Sequence, residues 1–131
     1  MPSINQFRKI KRYGILGIIP LIKHALKYYF IKYFTNKSFY KRNIYNYQLY
    51  LRISDPGLSR DLAIRGSREE QLKFIIDQEI SPGNVILDVG ANIGYYSIMI
   101  ADIVGNKGKI YALEPEPTNY KTLQKNIILN K

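Results

Sequence analysis

The sequence predicts an α/β fold built on two neighbouring parallel strands that a helix connects. The apolar stretch Val85–Val89 ("VILDV") runs into a loop with two glycines. A nearly all-apolar helical stretch follows, and a second short apolar stretch, Lys109–Leu113, ends at Glu114. Strand, glycine loop, helix, strand and acid, in this order, are typical of a βαβ unit.

The charge of the chain is unevenly distributed. Residues 1–50 contain ten Lys and Arg and no acid, whereas residues 51–131 contain ten basic and ten acidic residues, so the net charge of +10 lies in the first part. This asymmetry predicts a basic, amphipathic, helical leader over residues 1–42 and a neutral globular segment over residues 43–131. The absence of cysteine excludes disulfides and thiolate metal sites, and the single His24, expected at the surface, cannot form a zinc site alone.

The leader contains one clear helical pattern. Between Leu21 and Phe34 an apolar stripe recurs at helical spacing, and lysines occupy another side. Its members are Ile22, Leu26, Tyr29 and Tyr33. The favoured interpretation is that this stripe packs on the domain; contact of residues 1–40 with an anionic membrane is the alternative. We expect residues 1 to about 40 to be only loosely joined to the rest.

Export and nucleic-acid binding are both disfavoured by the sequence. The apolar run at residues 14–22 is too short to cross a membrane, and no cleavage pattern follows it. These features predict a cytoplasmic location. The basic and tyrosine-rich leader resembles a nucleic-acid surface, but the whole chain is rich in Ile, Lys, Asn and Tyr, so this bias carries little information.

Three elements are predicted between the leader and the first glycine. Residues 44–53 alternate apolar and polar side chains, which predicts one half-buried strand. "DPG" at 55–57 supplies a turn. Ser67 and Glu70 form a capping-box pattern at the start of a helix. The apolar face predicted for that helix consists of Leu72, Ile75, Ile76 and Ile80.

The remaining elements follow in the same way. The continuous apolar character of Val85–Val89 predicts a strand covered on both faces. The helix "YYSIMIADIV" should stop at Gly105, and a last helix should begin at Pro117. The core stripe predicted for the last helix is Tyr120, Leu123 and Ile127.

The loop after the first strand is the predicted ligand site. Gly90 and Gly94 allow positive φ and a close approach of a ligand to the backbone. Glu114 stands where a carboxylate accepts hydrogen bonds from both hydroxyls of a ribose. A carboxylate at Asp88 would repel a pyrophosphate by roughly 3 kcal/mol and would attract an ammonium or sulfonium group. The residues therefore favour S-adenosylmethionine over a dinucleotide.

The stretch "ILDVGANIGYYSIMIADIVGNKGKIYALEPEPTNYKTLQKNIILN", with the lead-in "DPGLSRDLAIRGSREEQLKFIIDQEISPGN", resembles FkbM-type methyltransferases over residues 45–131. The resemblance implies a Rossmann-like class I methyltransferase sheet of seven strands and methyl transfer to a hydroxyl of a sugar, glycan or small metabolite. It also implies a methionine-binding loop and a ribose-binding Glu114. The residues of that loop are Asp88, Gly90, Ala91, Asn92 and Gly94. Arg68 and Glu69 match a polar position that could close over the methionine end, although a helix-start role suits them equally.

Only two strands of that sheet are predicted, so the chain is expected to be an N-terminal fragment containing the first βαβα unit. The acceptor site and the catalytic base would lie beyond Lys131, and no general base is identified in the chain. We expect the fragment alone to bind its cofactor weakly or not at all and to be inactive. Two alternatives stay open at this point: a fragment of a dinucleotide-binding oxidoreductase, and a basic module that binds membranes or nucleic acid.

Overall fold

A computed structural model describes residues 18–131, so the predictions about residues 1–17 lie outside the described part. Within it, five helices and four strands follow one another, with a short 3-10 turn at Gly105–Lys107. In chain order they are α1 (Ile19–Phe34), β1 (Phe39–Ile44), β2 (Tyr47–Arg52), α2 (Leu58–Arg65), α3 (Glu70–Glu79), β3 (Val85–Val89), α4 (Tyr95–Val104), β4 (Lys109–Leu113) and α5 (Pro117–Leu129). No helix in this part is both long and apolar enough to cross a bilayer.

The predicted βαβ unit is present. β3 and β4 pair in parallel, with Val85 opposite Lys109 and Val89 opposite Leu113, so both strands end at the same edge. α4 connects them and buries Tyr95 together with most of its apolar side chains. Both strand assignments and their parallel pairing are confirmed; the right-handed sense of the crossing stays a prediction.

The half-buried strand predicted over residues 44–53 is confirmed for Tyr47–Arg52, which is β2, but residues 44–46 form the end of β1 and the turn of an antiparallel hairpin. Ile44 pairs with Tyr47, which leaves a two-residue turn between them. Tyr45 takes a positive φ of 54° in that turn. The alternation of residues 44–53 continues through this tyrosine, and tyrosine is uncommon in the left-handed region, so Asn46 is the only turn signal there.

α1 packs through a face other than the predicted one. Tyr28 is fully buried, and its hydroxyl donates to the carbonyl of Ile53 at 3.2 Å. The predicted stripe, represented by Ile22 and Leu26, is exposed. The packing interpretation of that stripe is therefore wrong, and so is the expected loose joining for residues 19–40, since α1 contacts α2 and contributes to the core. The expected boundary after residue 42 falls inside β1.

The hairpin is fastened to α2 by a half-buried arginine. The Nη1 group of Arg42 donates to the carbonyl of Leu62 at 2.9 Å and to that of Ala63. These carbonyls belong to the last turn of α2, where a cation also interacts favourably with the helix dipole. The contact fixes the end of α2 and with it the segment that leads into α3.

The capping box predicted for α3 is not formed. Ser67 donates its hydroxyl to the side chain of Glu70 at 2.9 Å, and the N-cap position is Glu69, at a φ of 50°. Of the predicted apolar face, Ile76 is buried and Ile80 half-buried, whereas Leu72 and Ile75 are exposed.

α5 packs through a largely polar face, so its predicted stripe is only partly correct. Leu123 is buried, but Tyr120 and Ile127 are exposed, and Asn126 is fully buried. The Asn126 side chain accepts from the amide of Tyr50 at 2.7 Å and donates to the carbonyls of Tyr50 and Ile93. The amide side chain thus satisfies the free edge of β2, as a neighbouring strand would.

The parallel sheet is covered on one face within the described chain. Ile86 and Ile110 pack against the core, whereas Val85, Leu87 and Val89 are exposed. The prediction that β3 is covered on both faces is therefore wrong here, because no described element packs on the second face.

Candidate functional site

The loop between β3 and α4 is held against the tip of β4. The amides of Gly90 and Ala91 both donate to the carbonyl of Leu113, at 2.8 and 2.9 Å. Three residues of the loop have positive φ, namely Gly90 at 83°, Asn92 at 52° and Gly94 at 88°. The predicted glycines therefore stand where the backbone turns through conformations that favour residues without a Cβ.

The two glycines meet different surroundings. A Cβ on Gly94 would lie 2.6 Å from Cδ1 of Leu123, so the absence of a side chain lets α5 approach the loop. A Cβ on Gly90 would meet nothing within 4 Å. Gly94 thus serves packing, whereas Gly90 leaves space beside the backbone for a ligand.

Glu114 is oriented by the loop, as its predicted position requires. One carboxylate oxygen accepts from the amide of Asn92 at 2.8 Å, and the other accepts from the amide of Glu116 at 2.9 Å. Each carboxylate oxygen can accept more than one hydrogen bond, so the half-buried group retains acceptor capacity toward a ribose. Glu116 caps α5 by accepting from the amides of Thr118 and Asn119, which lowers its own pKa.

Asp88 lies near the end of β3, as predicted. Its Oδ2 accepts from the hydroxyl of Ser97 at 2.5 Å, which joins β3 to α4. Asp88 does not line the cavity beside the loop. In this structure it orients the start of α4 through Ser97. The predicted contact of Asp88 with the methionine end stays a prediction.

A cavity of about 430 Å³ opens beside the loop. Two groups of residues form its walls. The loop wall is Gly90, Ala91 and Asn92, and the side-chain wall comes from the end of β2, from α2 and the segments on either side of it, and from α4 and α5. The side-chain wall consists of Arg52, Asp55, Gly57, Leu58, Arg68, Glu69, Tyr95, Tyr96 and Asn119. The cavity thus brings together the predicted Gly90, Ala91, Asn92, Arg68 and Glu69, whereas Gly94 and Glu114 lie outside its lining.

Glu69 is held in its charged form. The hydroxyl of Tyr96 donates to Oε2 of Glu69 at 2.6 Å, and Nε of Arg68 lies 3.2 Å from Oε1. The hydrogen bond from Tyr96 and the neighbouring Arg68 lower the pKa of Glu69. Burial and the contact with Glu69 raise the pKa of Tyr96, so the phenol stays a donor. The cavity therefore has a carboxylate that remains negative in mildly acidic solution.

Arg52 supplies positive charge on the same wall. Its Nη2 donates to Oδ1 of Asn119 at 2.8 Å, whereas its Nε is buried and has no hydrogen-bond partner in the described chain. Burial alone would raise the pKa of the nearby Asp55, but the amides of Ser59 and Gly57 donate to this carboxylate and lower its pKa. A buried donor without a partner is costly. Arg52 also lines the cavity, so its guanidinium suits an anionic ligand group there.

Sequence reasoning missed Arg52, Asp55, Tyr95, Tyr96 and Asn119. Arg52 has one local signal, because it stands at the polar side of a predicted strand just before the "DPG" turn. The sequence pattern indicates Tyr95 and Tyr96 only as part of an apolar helix, not as residues of a site. Their contacts join segments that are far apart in the chain, which no local pattern reports.

The donors and acceptors of the cavity fit a zwitterion such as the methionine end of S-adenosylmethionine. A glycine loop provides open backbone, Glu69 provides a negative charge, and Arg52 provides an unused cationic donor. Among residues 18–131 there is no cluster of three or more His, Cys, Asp or Glu that could hold a metal ion.

Comparison with known proteins gives one family match. The model of the TRM5/TYW2 methyltransferase domain matches residues 65–131, just over half of the chain. Searches of curated proteins and of solved structures found no significant match. The match supports a methyltransferase that uses S-adenosylmethionine, within a mixed α/β fold, and does not single out the FkbM family. The chain therefore belongs to the TRM5/TYW2 methyltransferase domain family, which uses S-adenosylmethionine as the methyl donor.

Proposed function

We propose that this chain forms the part of an O-methyltransferase that binds the methionine end and the ribose of S-adenosylmethionine. One observation carries the proposal: Arg52 and the charged Glu69 line the same cavity as the open backbone at Gly90. The methionine end of the cofactor carries one carboxylate and one ammonium group, so it needs a site with both charges.

Each charged residue has a distinct role in this proposal. Arg52 donates from its guanidinium to the α-carboxylate of the methionine end, because it lines the cavity and its Nε has no hydrogen-bond partner among residues 18–131. Glu69 accepts from the ammonium group, and Tyr96 together with Arg68 keeps Glu69 ionised. Gly90 allows the ligand to lie against the loop, since a side chain there would occupy the open space.

Glu114 binds the ribose in the same proposal. Its carboxylate is already fixed by the amides of Asn92 and Glu116, so it loses little freedom when a ligand binds. Hydrogen bonds to a charged acceptor are worth about 1.5–3 kcal/mol. Asp88 and Gly94 support the site from outside the cavity, through Ser97 and through the contact with α5.

One argument against a dinucleotide loses weight in the structure, and two other observations argue against it. Asp88 does not face the cavity, so its repulsion of a pyrophosphate is a smaller argument than the sequence indicated. Glu69 provides a negative charge within the cavity instead, and the family match is to a methyltransferase domain. Both observations favour S-adenosylmethionine over a dinucleotide.

We further propose that the acceptor is a hydroxyl of a sugar, glycan or small metabolite, as the FkbM resemblance of residues 45–131 implies. The bound cofactor supplies a methyl group on a sulfonium, which the acceptor oxygen takes up as the carbon–sulfur bond breaks. This chain contributes orientation, because it fixes the methionine end and the ribose. The hydroxyl proton passes to a base that none of the described residues supplies in this proposal. A cytoplasmic location belongs to the same proposal, and the absence of cysteine is compatible with it.

The cofactor part is tested with two ligands and two variants. Calorimetric titration should show that Arg52→Ala weakens S-adenosylhomocysteine binding roughly 10- to 100-fold, because a charge-assisted hydrogen bond is lost. The same variant should leave the affinity for 5′-methylthioadenosine unchanged, since that ligand has no carboxylate. Arg60→Ala is the control, because Arg60 is exposed on α2 and does not line the cavity. Equal losses for both ligands would assign Arg52 a structural role and contradict the proposal.

The acceptor part is tested with S-adenosylmethionine tritiated on its methyl group and with protein expressed from the complete coding sequence. Small molecules, glycans, polynucleotides and proteins from a cell extract are offered as separate fractions. Label should enter the small-molecule or glycan fraction and should resist alkali, as a methyl ether does. Label in the polynucleotide fraction, or label that alkali releases as methanol, would refute O-methylation of a hydroxyl.

A further inference from the structure

We propose that the outer face of α1 docks on an anionic lipid surface. The outer face is defined as the exposed apolar side of this helix, opposite the side that enters the core. It consists of Ile19, Ile22, Leu26, Phe30, Tyr33 and Phe34.

α1 is apolar on two opposite sides. Tyr28 and Ile31 form the inner side, which packs into the core next to the hairpin and α2. At about 100° per residue, Ile22, Leu26 and Tyr33 project from the other side of the helix. A helix that only covers the core of a soluble domain needs one apolar stripe. The second stripe is thus unexplained by the packing of the described chain.

The outer face is large and strongly exposed. Leu26 is 67% exposed, Phe30 is 59% exposed and Phe34 is 75% exposed. The rings of Phe30 and Phe34 stack at 5.4 Å, so the aromatic side chains form one continuous surface. Contiguous exposed apolar patches of this kind mark contact with a protein or a membrane.

The charges beside the outer face select an anionic partner. Lys23 and Lys27 border the outer face, whereas Lys32 follows Tyr28 by four residues and lies on the inner side; α1 has no acidic residue. The first 50 residues of the chain contain no acid at all, so this segment supplies no negative side chain that could offset these charges. An apolar helix face bordered by lysines, lying in the plane of the headgroups, is the arrangement of interfacial helices.

The side chains of the outer face favour lipid over nucleic acid. Ile19, Ile22 and Leu26 are aliphatic and cannot stack on bases, but they can enter the acyl region of a bilayer. Tyr33 has an apolar ring with a polar end, which suits the headgroup level. The geometry thus assigns the lysines to the headgroups and the aliphatic side chains to the acyl chains.

Vesicle sedimentation of the 131-residue chain tests the proposal. Vesicles of phosphatidylcholine alone are compared with vesicles that also contain phosphatidylserine, over a series of NaCl concentrations. Binding should require phosphatidylserine and should weaken as salt rises, because the charge attraction is screened. Binding that is equal on both vesicles, or absent at low salt, would overturn the proposal.

Matched variants locate the contact on α1. Leu26→Glu should reduce vesicle binding at least tenfold, since it removes an inserted side chain and adds a repelled charge. Phe74→Glu is the control, because Phe74 is 65% exposed on α3 and the charge change is the same. Lys23→Gln and Lys27→Gln should each weaken binding about fivefold, whereas Lys121→Gln on α5 should not. Equal effects of Leu26→Glu and Phe74→Glu would refute docking through the outer face, and so would retention on an RNA oligomer with no retention on vesicles.

Discussion

The two walls of the cavity are built in different ways. The loop wall, Gly90 to Asn92, is backbone that β3 and β4 hold at their common edge. The side-chain wall, represented by Arg52 and Glu69, depends on the hairpin and on the segment between α2 and α3. A backbone wall is specified by local residues that permit positive φ, whereas a side-chain wall is specified by the packing of distant segments. The loop wall can therefore be predicted from the sequence, whereas the side-chain wall cannot.

Asn126 joins the two walls and gives the largest expected effect on stability. Its side chain binds the backbone of Tyr50 in β2 and the carbonyl of Ile93 in the loop, and it is fully buried. Asn126→Ala leaves these backbone groups unsatisfied, so we expect a loss of about 2–4 kcal/mol in the free energy of unfolding, measured with urea.

Asn130 provides the matched control. It makes the corresponding pair of hydrogen bonds to the backbone of Gln48, but it is exposed, so water can replace its side chain. Asn130→Ala should cost less than about 1 kcal/mol. Equal losses for the two variants would show that Asn126 does not join the walls.

The two glycines of the loop should separate packing from ligand binding. Both have positive φ, so alanine at either position costs about 1–2 kcal/mol in backbone strain. Gly94→Ala adds a close contact with Leu123 and should lose roughly 1 kcal/mol more than Gly90→Ala in the free energy of unfolding. Gly90→Ala should reduce S-adenosylhomocysteine affinity more strongly. The opposite ranking in either measurement would contradict the assignment of these roles.

The smallest expected effect concerns the charge of the side-chain wall. Tyr96→Phe removes the hydrogen bond that most lowers the pKa of Glu69, so this pKa should rise toward its ordinary value. A lowered pKa keeps the carboxylate charged until the pH falls through it. S-adenosylhomocysteine binding by Tyr96→Phe should therefore be lost at a higher pH than in the unchanged protein. Tyr120→Phe, on the exposed side of α5, is the control and should keep the original pH profile. Identical profiles for the unchanged protein and both variants would show that Glu69 does not bind the ammonium group.

The sequence allowed accurate prediction where the structure is local. β3, α4 and β4 follow from apolar runs and glycine stops, and the loop and Glu114 follow from their spacing. The hairpin turn was not predicted, because Tyr45 takes the left-handed conformation and Asn46 is the only usual turn residue there. Periodicity also failed for α1, since a helix with two apolar sides does not show which one enters the core. Arg52 became visible as a candidate only when the structure showed its buried, unpartnered Nε.

The most direct test of the central claim is an amide-resolved NMR titration of the ¹⁵N-labelled 131-residue chain with S-adenosylhomocysteine. Such a titration detects weak binding and reports both walls in one spectrum. The account predicts shifts at Gly90 and Asn92 in the loop wall, at Glu69 in the side-chain wall, and at Glu114, with little change across α1. A parallel titration with NAD should leave these amides unmoved. Shifts that are absent from both walls at saturating ligand, or that NAD reproduces, would contradict S-adenosylmethionine binding at this cavity.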